Sequence, residues 1–279
     1  MKPPIGRDTR LCMSLSARPG NAGSYLHNHL YEALGLDYVY KAFSTTDLAA
    51  AVAGIRALGI RGSAISMPFK EAVIPLLDVL EDSARAIESV NTIVNDDGRL
   101  TGYNTDYTAV RTLLARHAVD PATPFLLRGS GGMAKAVVAA LRDSGFRHGT
   151  LVARNADAGR ALAALYGYDW RADLPAEGAG LLINVTPIGM EGPDRDGFAF
   201  PPALIAACTV AFDVVAQPAE TPFILAARQQ GKRIISGAEV IVLQSIEQFV
   251  LYTGVRPSGD QIRAAAIFAH GPGIAAALG

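Results

Sequence analysis

The chain has 279 residues, a length that favours two domains or one large α/β unit. Half of the residues are apolar and 18% are charged, so the chain has enough apolar side chains for a large core and differs from a disordered polar sequence. The 25 basic and 26 acidic residues leave a net charge of −1, which excludes the electrostatic signature of proteins that bind nucleic acids or anionic membranes. We expect neither nucleic acid nor membrane as a partner.

The cysteines and the amino terminus indicate the compartment. Cys12 and Cys208 lie far apart in apolar stretches with no CxxC pair, which predicts two buried thiols and neither a disulfide nor a zinc site. The five histidines share no spacing that would bind a metal, so we expect no metal cofactor. Residues 1–10 lack the apolar core of a signal peptide, and the longest apolar run, Ala203–Phe212, is too short to span a bilayer. The sequence therefore predicts a cytoplasmic protein.

Short apolar runs alternate with longer amphipathic segments in the first part of the chain. In order, they predict a strand at Arg10–Leu15, a helix at Ala22–Leu34, a strand at Tyr38–Phe43, a helix from Thr46 to Gly59 and a strand at Gly62–Met67. Two β-like runs around Asp97-Gly98 then predict a hairpin between Asn91 and Tyr103. A strand–helix–strand rhythm of this kind predicts a mostly parallel sheet.

A second alternation follows a helix predicted at Asp106–His117 and a polar connection with two prolines at Ala118–Pro124. It predicts, in order, a strand at Phe125–Leu127, a glycine-rich turn, a helix at Met133–Ser144, a strand at Gly149–Ala153, a helix at Ala156–Tyr166, and strands at Gly180–Asn184, Thr209–Val215 and Arg233–Ile235. The last amphipathic stretches, Ala238–Thr253 and Asp260–His270, predict helices with no strand after them. The sequence therefore predicts an α/β protein with a domain boundary near residues 106–123.

The glycine-rich turn stands between a predicted strand and a predicted helix. Its residues fit the pattern G-x-G-x-x-G/A: Gly129, Ser130, Gly131, Gly132, Met133 and Ala134. The first glycine allows a tight turn, the second lets a pyrophosphate reach the main chain, and the small last residue lets the helix pack closely on the strand. The amino terminus of the helix adds unpaired N–H groups and a partial positive charge. In this context the motif predicts a dinucleotide site, whereas the same string alone would indicate an ordinary loop.

The residue after the next strand distinguishes NADP from NAD. An NAD-binding chain usually has an acidic residue there, which accepts a hydrogen bond from the ribose 2′-hydroxyl. This chain has Arg154, whose guanidinium suits a 2′-phosphate, so the sequence favours NADP(H); the alternative is an exposed arginine without a role. Arg128 is a charged residue at the end of a buried strand, just before the glycines. Two interpretations stay open for it: a side chain that extends to solvent, and a contact with phosphate.

Polar residues follow the ends of the predicted strands in the first domain. Ser14 and Ser16 are two residues apart, so both hydroxyls lie on one side of the strand and suit a polyol or a carboxylate; a turn or a helix cap is the alternative. Lys70 follows the third strand, at the edge where open α/β sheets bind ligands, and could transfer a proton; a surface lysine is the alternative. Asp106 opens the next helix, either as its N-cap or facing Lys70 across a cleft. With the dinucleotide motif, these residues predict a dehydrogenase.

In chain order the motifs resemble shikimate dehydrogenase over nearly the whole sequence. They are Ser14-x-Ser16, Pro68-Phe69-Lys70, Asn91-Thr92, Asn104-Thr105-Asp106, the glycine turn, Asn184-Val185-Thr186, Thr221-Pro222-Phe223 and Gln244. The resemblance implies an N-terminal α/β substrate domain in residues 1–105, a Rossmann-type dinucleotide-binding domain in residues 106–236, and C-terminal helices in residues 237–279 that return to the first domain. It also implies the reversible, NADP-dependent reduction of 3-dehydroshikimate to shikimate, a step of the chorismate pathway of aromatic amino acid biosynthesis.

The resemblance also assigns a role to each matching position. Lys70 and Asp106 would be the catalytic pair, which relays a proton to the carbonyl oxygen while hydride comes from the nicotinamide. The residues implied to hold the substrate are Ser14, Ser16, Ser66, Asn91 and Gln244. The serines would bind its carboxylate, and the amides would bind its ring hydroxyls. The residues implied to hold the cofactor, beside the glycine turn, are Arg154, Thr186, Met190 and Gly237.

Two motifs and one further residue depart from the family pattern. The family's Asn-Val-Thr before the proline is Ala64-Ile65-Ser66, its Asn-Arg-Thr is Ala153-Arg154-Asn155, and Ala216 stands where a tyrosine is common. A buried polar partner left unpaired costs about 1–3 kcal/mol, so two such losses would lower turnover of shikimate by orders of magnitude. The sequence therefore resembles the shikimate dehydrogenase-like subgroup most closely.

Two alternatives stay open beside shikimate. The first is a dehydrogenase of quinate or another cyclic hydroxy acid, because Ala64 and Ala216 leave room for a differently shaped ring; Arg154 argues against NAD as its cofactor. The second is a low-turnover homologue that only binds a ligand, and the presence of both Lys70 and Asp106 argues against it. No coiled-coil heptad and no obvious apolar stripe occurs in the sequence, which leaves a monomer and a homodimer open.

Overall fold

The computed structural model describes residues 2–278, which form two compact units. The first unit extends through Thr105 and resumes at Val242, and the second unit is Asp106–Ile241. Each unit contains one six-stranded sheet together with helices, so the predicted α/β class is confirmed. Among the described residues, no helix is both long enough and apolar enough to cross a membrane.

The sheet of the first unit is mixed. Its strands are β1 (Arg10–Ser16), β2 (Tyr38–Ser44), β3 (Gly62–Ile65), β4 (Val79–Leu80), β5 (Thr92–Asp96) and β6 (Arg99–Tyr103). The spatial order is β2-β1-β3-β5-β6-β4; β1 is parallel to β2 and β3, whereas β5 is antiparallel to β3 and β6. The predicted hairpin is confirmed, because β5 and β6 join at Asp97 and Gly98, whose φ angles of 51° and 91° suit a tight turn.

Four helices of the first unit precede residue 105: α1 (Ala22–Ala33), α2 (Leu48–Ala57), α3 (Phe69–Ala72) and α4 (Asp82–Arg85). Helix α2 begins close to its predicted start, because the Asp47 side chain caps it by accepting a hydrogen bond from Ala50 N at 2.9 Å. The sequence predicted none of α3, α4 and β4. Each has at most four residues, too few to show a periodic pattern of apolar side chains.

Strand β1 separates core residues from candidate site residues. Met13 and Leu15 are buried in a hydrophobic core that also contains Ile93 of β5. Successive side chains of a strand point to opposite faces of the sheet, so Ser14 and Ser16 face the other side. The alternation of the sequence thus places both serine hydroxyls on one face, as predicted.

The sheet of the second unit is entirely parallel. Its strands are β7 (Phe125–Arg128), β8 (Gly149–Val152), β9 (Asp169–Arg171), β10 (Leu181–Asn184), β11 (Val210–Asp213) and β12 (Arg233–Ile235). They lie in the order β12-β11-β10-β7-β8-β9, and every neighbouring pair is parallel. The chain reverses its direction of travel across the sheet between β7 and β10, where dinucleotides bind in Rossmann-type folds. The predicted Rossmann-type architecture is confirmed.

Five helices belong mainly to the second unit: α5 (Thr105–Arg116), α6 (Gly132–Asp143), α7 (Ala156–Tyr166), α8 (Pro202–Ala207) and α9 (Pro222–Gln229). The sequence did not predict α8, α9 or β9. The apolar run Ala203–Phe212 divides into the end of α8 and the first part of β11. The predicted strand at Thr209–Val215 begins one residue before β11, so only the helix in this run was missed. An apolar run has the same appearance in a buried helix and in a buried strand, and its periodicity did not reveal α8.

Two long helices, α10 (Gly237–Thr253) and α11 (Gly259–His270), follow β12 and precede a short 3₁₀ helix at Pro272–Ala277. In the first unit, the rings of Phe249 in α10 and Tyr31 in α1 stack at 5.3 Å. The ring of Phe268 in α11 meets Tyr25 of α1 edge to face at 5.9 Å. Aromatic packing therefore attaches the last helices to α1.

Candidate active site

The glycine turn after β7 leaves main-chain N–H groups open. Gly129 has φ +126°, and a Cβ atom there would lie 2.8 Å from Val185 Cγ2, so only glycine fits. A Cβ atom at Gly131 or Gly132 would meet no atom within 4 Å. Gly131 caps the 12-residue helix α6 without a side-chain hydrogen bond, which leaves the first N–H groups of the helix available to an anion.

These features fit the pyrophosphate of a dinucleotide. The main chain is exposed at Gly131 and Gly132, and Ala134 is fully buried, so α6 approaches the sheet closely. Ser130 and Met133 are partly exposed on the same turn. The turn combines open N–H donors with the positive end of a helix dipole, which is the donor set that a pyrophosphate requires.

Arg154 and Arg128 lie at the carboxyl ends of neighbouring parallel strands. Arg128 ends β7 and pairs in register with Val152, and Arg154 follows two residues after Val152. Arg154 is exposed and Arg128 is partly buried. Burial and the positive charge of Arg154 both lower the pKa of Arg128. The charge of a guanidinium persists at neutral pH even so, because its ordinary pKa is far above 7.

A buried polar network holds the segment after β10, and sequence reasoning missed its central residue. The Asp213 carboxylate accepts hydrogen bonds from Asn184 Nδ2 at 3.0 Å and from Thr221 Oγ1 at 2.6 Å. Asn184 Oδ1 in turn accepts from Thr186 Oγ1 at 2.6 Å. Burial raises the pKa of Asp213 to about 6, against the effect of these donors. The sequence showed Asp213 only as the end of an apolar run, which gave no sign of this role.

Two further predicted cofactor residues lie at the carboxyl edge of the second sheet. Met190 follows β10 by six residues, and its side chain is 45% exposed. Gly237 begins α10, and a Cβ atom there would lie 2.2 Å from Val215 O, just after β11. A glycine is therefore required at 237 for packing alone. These positions agree with the edge where open parallel sheets bind ligands, and their roles stay predictions.

In the first unit, an amide–hydroxyl network centres on Asn91, which is only 3% exposed. Its Oδ1 accepts hydrogen bonds from Thr105 N at 2.8 Å and from Thr92 Oγ1 at 2.8 Å. Thr105 Oγ1 lies 3.1 Å from Asn91 Oδ1 and 3.3 Å from Gln244 Oε1. These donors occupy Oδ1, so a ligand beside Asn91 would meet the amide Nδ2. The structure thus brings the predicted Asn91 and Gln244 together through Thr105.

Gln248 extends the network, and sequence reasoning missed it. Its Nε2 donates to Thr92 Oγ1 at 3.0 Å and lies 3.3 Å from Asn91 O. The side chain is buried. Gln244 and Gln248 are four residues apart in α10 and therefore lie on the same face of the helix. That spacing from Gln244 was the one signal in the sequence that could have pointed to Gln248, which is not part of the family motifs found in the sequence.

Lys70 lies in α3, directly after β3, and is partly buried. Its carbonyl oxygen accepts a hydrogen bond from Val90 N at 2.8 Å, which places Lys70 next to Asn91. Asp106 is the second residue of α5, because that helix begins at Thr105. The structure therefore favours an acidic residue in the first turn of α5 over the N-cap interpretation.

The three predicted serines differ in their surroundings. The side chain of Ser14 lies beside Tyr40 of β2, where it opposes the rise that burial causes in the pKa of Tyr40. Ser16 Oγ is buried and has no hydrogen-bond partner. Ser66 is exposed at the end of β3, and its N–H donates to Leu15 O at 3.0 Å, beside Ser16. The carboxyl ends of β1 and β3 thus bring Ser16 and Ser66 close together, with Ser14 one pleat behind.

No group of three or more potential metal-ligating side chains (His, Cys, Asp or Glu) occurs within residues 2–278. Cys12 and Cys208 are both free thiols, and both are buried. Burial raises the pKa of Cys12 to about 12, which makes its thiolate unavailable as a nucleophile or a metal ligand at neutral pH. The candidate chemistry therefore rests on amides, hydroxyls, Lys70 and Asp106.

Comparison with known proteins agrees with this geometry. Residues 22–93 match the shikimate dehydrogenase substrate binding domain. A shikimate dehydrogenase-like protein of Haemophilus influenzae is 55% identical over 267 residues, which cover 95% of this chain and 98% of that protein. A shikimate dehydrogenase (NADP(+)) of Moorella thermoacetica is 39% identical over 247 residues, 82% of each chain.

Solved structures show the same fold. A shikimate 5-dehydrogenase-like protein superposes with a TM-score of 0.94 at 55% identity and covers 95% of this chain and 99% of its own. The Thermus thermophilus shikimate 5-dehydrogenase, in complex with NADP(H) and shikimate, gives 0.82 at 29% identity, with 93% and 99% covered. The quinate dehydrogenase of Corynebacterium glutamicum, in complex with NAD, gives 0.83 at 26% identity, with 92% and 98% covered. Since more than half of its residues are identical to a relative over nearly its full length, the chain belongs to the shikimate dehydrogenase family of oxidoreductases.

Proposed function

We propose that the protein is an NADP(H)-dependent oxidoreductase that reversibly reduces 3-dehydroshikimate to shikimate. The observation that carries the proposal is the Asn91–Thr105–Gln244 network beside Lys70, which offers fixed amide groups to a ligand rich in hydroxyls. Membership of the family and the NADP(H)–shikimate complex of the Thermus thermophilus relative support the same reaction. The bound NADPH supplies the hydride that reduces the carbonyl carbon.

The residues of this chain handle the proton. Reduction of a ketone puts negative charge on its oxygen, which must take up one proton for each hydride added to carbon. Lys70 donates that proton from its ammonium, and Asp106 stabilises the ammonium before the transfer. In the oxidation of shikimate, the neutral amine of Lys70 accepts the hydroxyl proton as hydride leaves the carbon. Removal of either residue therefore removes the proton path and leaves hydride transfer unassisted.

Each unit has its own task in this proposal. Residues 1–105 hold the substrate, residues 106–236 hold NADP(H), and residues 237–279 return to complete the substrate domain. The substrate residues are Ser14, Ser16, Ser66, Asn91 and Gln244. The unpartnered hydroxyl of Ser16 and the exposed hydroxyl of Ser66 suit a carboxylate better than Ser14, which lies one pleat behind them beside Tyr40. The cofactor residues are the glycine turn, Arg154, Thr186, Met190 and Gly237.

A second candidate function is the oxidation of quinate or another cyclic hydroxy acid. Ala64 pairs with Thr92 in the sheet, next to Asn91, so it places a methyl group where the family has a substrate-binding amide. Each missing hydrogen-bond partner weakens the binding of a ligand whose hydroxyl needs it by about 1–3 kcal/mol. A ligand without that hydroxyl does not lose this binding free energy. The quinate dehydrogenase of Corynebacterium glutamicum shares the fold. A low-turnover ligand-binding homologue is the remaining candidate.

The test is a steady-state assay at the nicotinamide absorbance band with shikimate and quinate, each with NADP+ and NAD+. We expect the highest kcat/KM with shikimate and NADP+, because Arg154 provides a cation for the 2′-phosphate. A higher kcat/KM with quinate would move the assignment to the second candidate. Absence of turnover, together with a rise in Tm on addition of shikimate, would assign the protein as a binding homologue.

A variant separates catalysis from binding. We expect Lys70→Ala to lower kcat by about 10²–10⁴-fold, since it removes the proton donor, and to change the Kd for shikimate by much less. Lys41→Ala removes an exposed lysine on β2 and serves as the matched control, with wild-type kcat expected. Wild-type kcat in Lys70→Ala would remove Lys70 from the reaction.

A further inference from the structure

The two arginines at the carboxyl edge of β7 and β8 form a cluster of positive charge without a carboxylate. Arg128 pairs in register with Val152 on the adjacent strand, and Arg154 lies two residues beyond, so their main chains are about one strand spacing and two residues apart. Neither guanidinium forms an ion pair with any carboxylate in the part of the chain that the structure describes. Two positive charges so placed repel each other, and an anion bound between them would offset this repulsion.

Arg128 is held in place by the main chain. Its Nη1 donates hydrogen bonds to Ala199 O and, at 3.4 Å, to Phe198 O. A guanidinium has five N–H donors, so these bonds at Nη1 leave Nη2 and Nε available to an anion. The side chain is therefore oriented before any ligand arrives, which lowers the entropy that binding would cost.

The position of the two arginines fits the phosphate on the adenosine ribose of the cofactor better than it fits the pyrophosphate. The pyrophosphate has its own donors in the main chain of Gly131 and Gly132 and in the amino terminus of α6. The adenosine ribose lies at the end of the second strand of a Rossmann-type sheet, here β8, where Arg154 is found. A phosphate monoester carries about −1.5 to −2 charges at neutral pH, more than one guanidinium neutralises.

We infer that Arg128 is a second specificity-determining residue for NADP(H), one that binds the 2′-phosphate together with Arg154. The inference rests on the proposed function, since it takes NADP(H) as the cofactor. It also assigns a role to Arg128 at the end of β7. The sequence had left two interpretations of this residue open, a side chain that extends to solvent and a contact with phosphate. Binding by two guanidiniums, of which Arg128 is already held in place, makes the 2′-phosphate a requirement and not merely a tolerated group.

The test measures cofactor binding without turnover. The Kd values for NADPH and NADH are obtained by nicotinamide fluorescence titration for the wild type, Arg128→Met, Arg128→Lys and Arg154→Met. We expect Arg128→Met to raise the Kd for NADPH at least tenfold and to change the Kd for NADH less than twofold. Arg128→Lys retains the charge but loses the fork of donors, so a smaller rise for NADPH alone is expected. Arg147→Met is the matched control, an exposed arginine at the amino end of β8, and it should change neither Kd.

Different results overturn different claims. If the wild type binds NADH as tightly as NADPH, the proposed preference for NADP(H) fails and takes this inference with it. If the wild type prefers NADPH but Arg128→Met retains that preference, the inference alone is wrong. An equal rise in the Kd for both cofactors in Arg128→Met and in Arg128→Lys would assign Arg128 to packing at the edge of the sheet. A rise for both cofactors in Arg128→Met that vanishes in Arg128→Lys would assign Arg128 to a charge contact that both cofactors share, and would overturn its role in specificity. A variant that fails to fold is recognised by its Tm, and Arg128→Lys then decides the question.

Discussion

Two glycines of the same turn differ in what a methyl group would meet. At Gly129 a Cβ atom would lie 2.8 Å from Val185 Cγ2 and 3.0 Å from Val185 O, and the φ angle of +126° is unfavourable for any L side chain. At Gly131 the added atom would meet nothing within 4 Å. The first glycine is therefore needed by the fold itself. The second is free of that need, and its lack of a side chain fits the proposed approach of a pyrophosphate to its main chain.

We expect Gly129→Ala to lower Tm by roughly 2–10 °C, because strain of this kind costs about 1–3 kcal/mol. Gly131→Ala should leave Tm unchanged and raise the Kd for NADPH on the order of tenfold, because its methyl group occupies the space that the pyrophosphate needs. Thermal unfolding and fluorescence titration on the two variants measure both effects, and each variant is the control for the other. Unchanged NADPH binding in Gly131→Ala would contradict the assignment of the turn to the cofactor.

Helix α10 forms side-chain hydrogen bonds with two parts of the first unit that are distant from it in the sequence. Its Gln244 meets Thr105, and its Gln248 meets Thr92, which donates to the amide of Asn91. One helix face thus fixes the orientation of an amide that is 157 residues away in the sequence. Because Asn91 Oδ1 is occupied by these neighbours, loss of one of them frees the amide to rotate and weakens the donor that it presents to a substrate.

Gln248 is therefore a positioning residue for Asn91. We expect Gln248→Leu to raise the KM for shikimate about tenfold with a smaller change in kcat, since a lost buried hydrogen bond costs about 1–3 kcal/mol and the proton donor is untouched. Ile246→Val is the matched control: it is fully buried on the same helix, lies outside the network, and should lower stability by about 0.5–1.5 kcal/mol without changing KM. Steady-state kinetics and Tm are measured for both. A fall in Tm without a change in KM for Gln248→Leu would assign this residue to stability alone.

The elements that the sequence predicted and those that it missed differ in how local their signals are. The parallel strands β1 and β7 and the hairpin at Asp97-Gly98 are specified by contiguous apolar runs and turn residues. The same holds for the glycine turn, which one stretch of six residues defines. In contrast, α8 shares an apolar run with β11, and nothing local shows that the first part of this run is a helix. Short elements such as α3 and β4 exist through packing and hydrogen bonds with distant strands.

The candidate site shows the same distinction. Lys70, Asp106 and Arg154 could be proposed from the residues around them in the sequence. Asp213 and Gln248 could not, because their partners come from other strands and helices, and an acid or an amide in an apolar stretch has no pattern of its own. The position of Ser14 beside Tyr40 likewise requires the pairing of β1 with β2. Sequence reasoning thus found the residues for which chemical roles are proposed, and it missed buried residues that hydrogen-bond their neighbours.

At the scale of the whole molecule, each unit has its own sheet and its own set of candidate residues, so each ligand should act on a different part of the chain. With shikimate alone, we expect hydrogen exchange to slow in peptides covering 66–70 and 91–105; with NADP+ alone, it should slow in 128–134 and 152–155. A ligand at a concentration of 100 times its Kd adds about 2.7 kcal/mol to the stability of the folded state that binds it. Hydrogen exchange that requires the binding unit to open therefore slows up to about 100-fold. Exchange followed by mass spectrometry measures this, with residues 146–150 at the amino end of β8 as a segment that neither ligand should protect. Protection of 128–134 by shikimate alone, or of 66–105 by NADP+ alone, would show that the roles of the two units have been assigned the wrong way round.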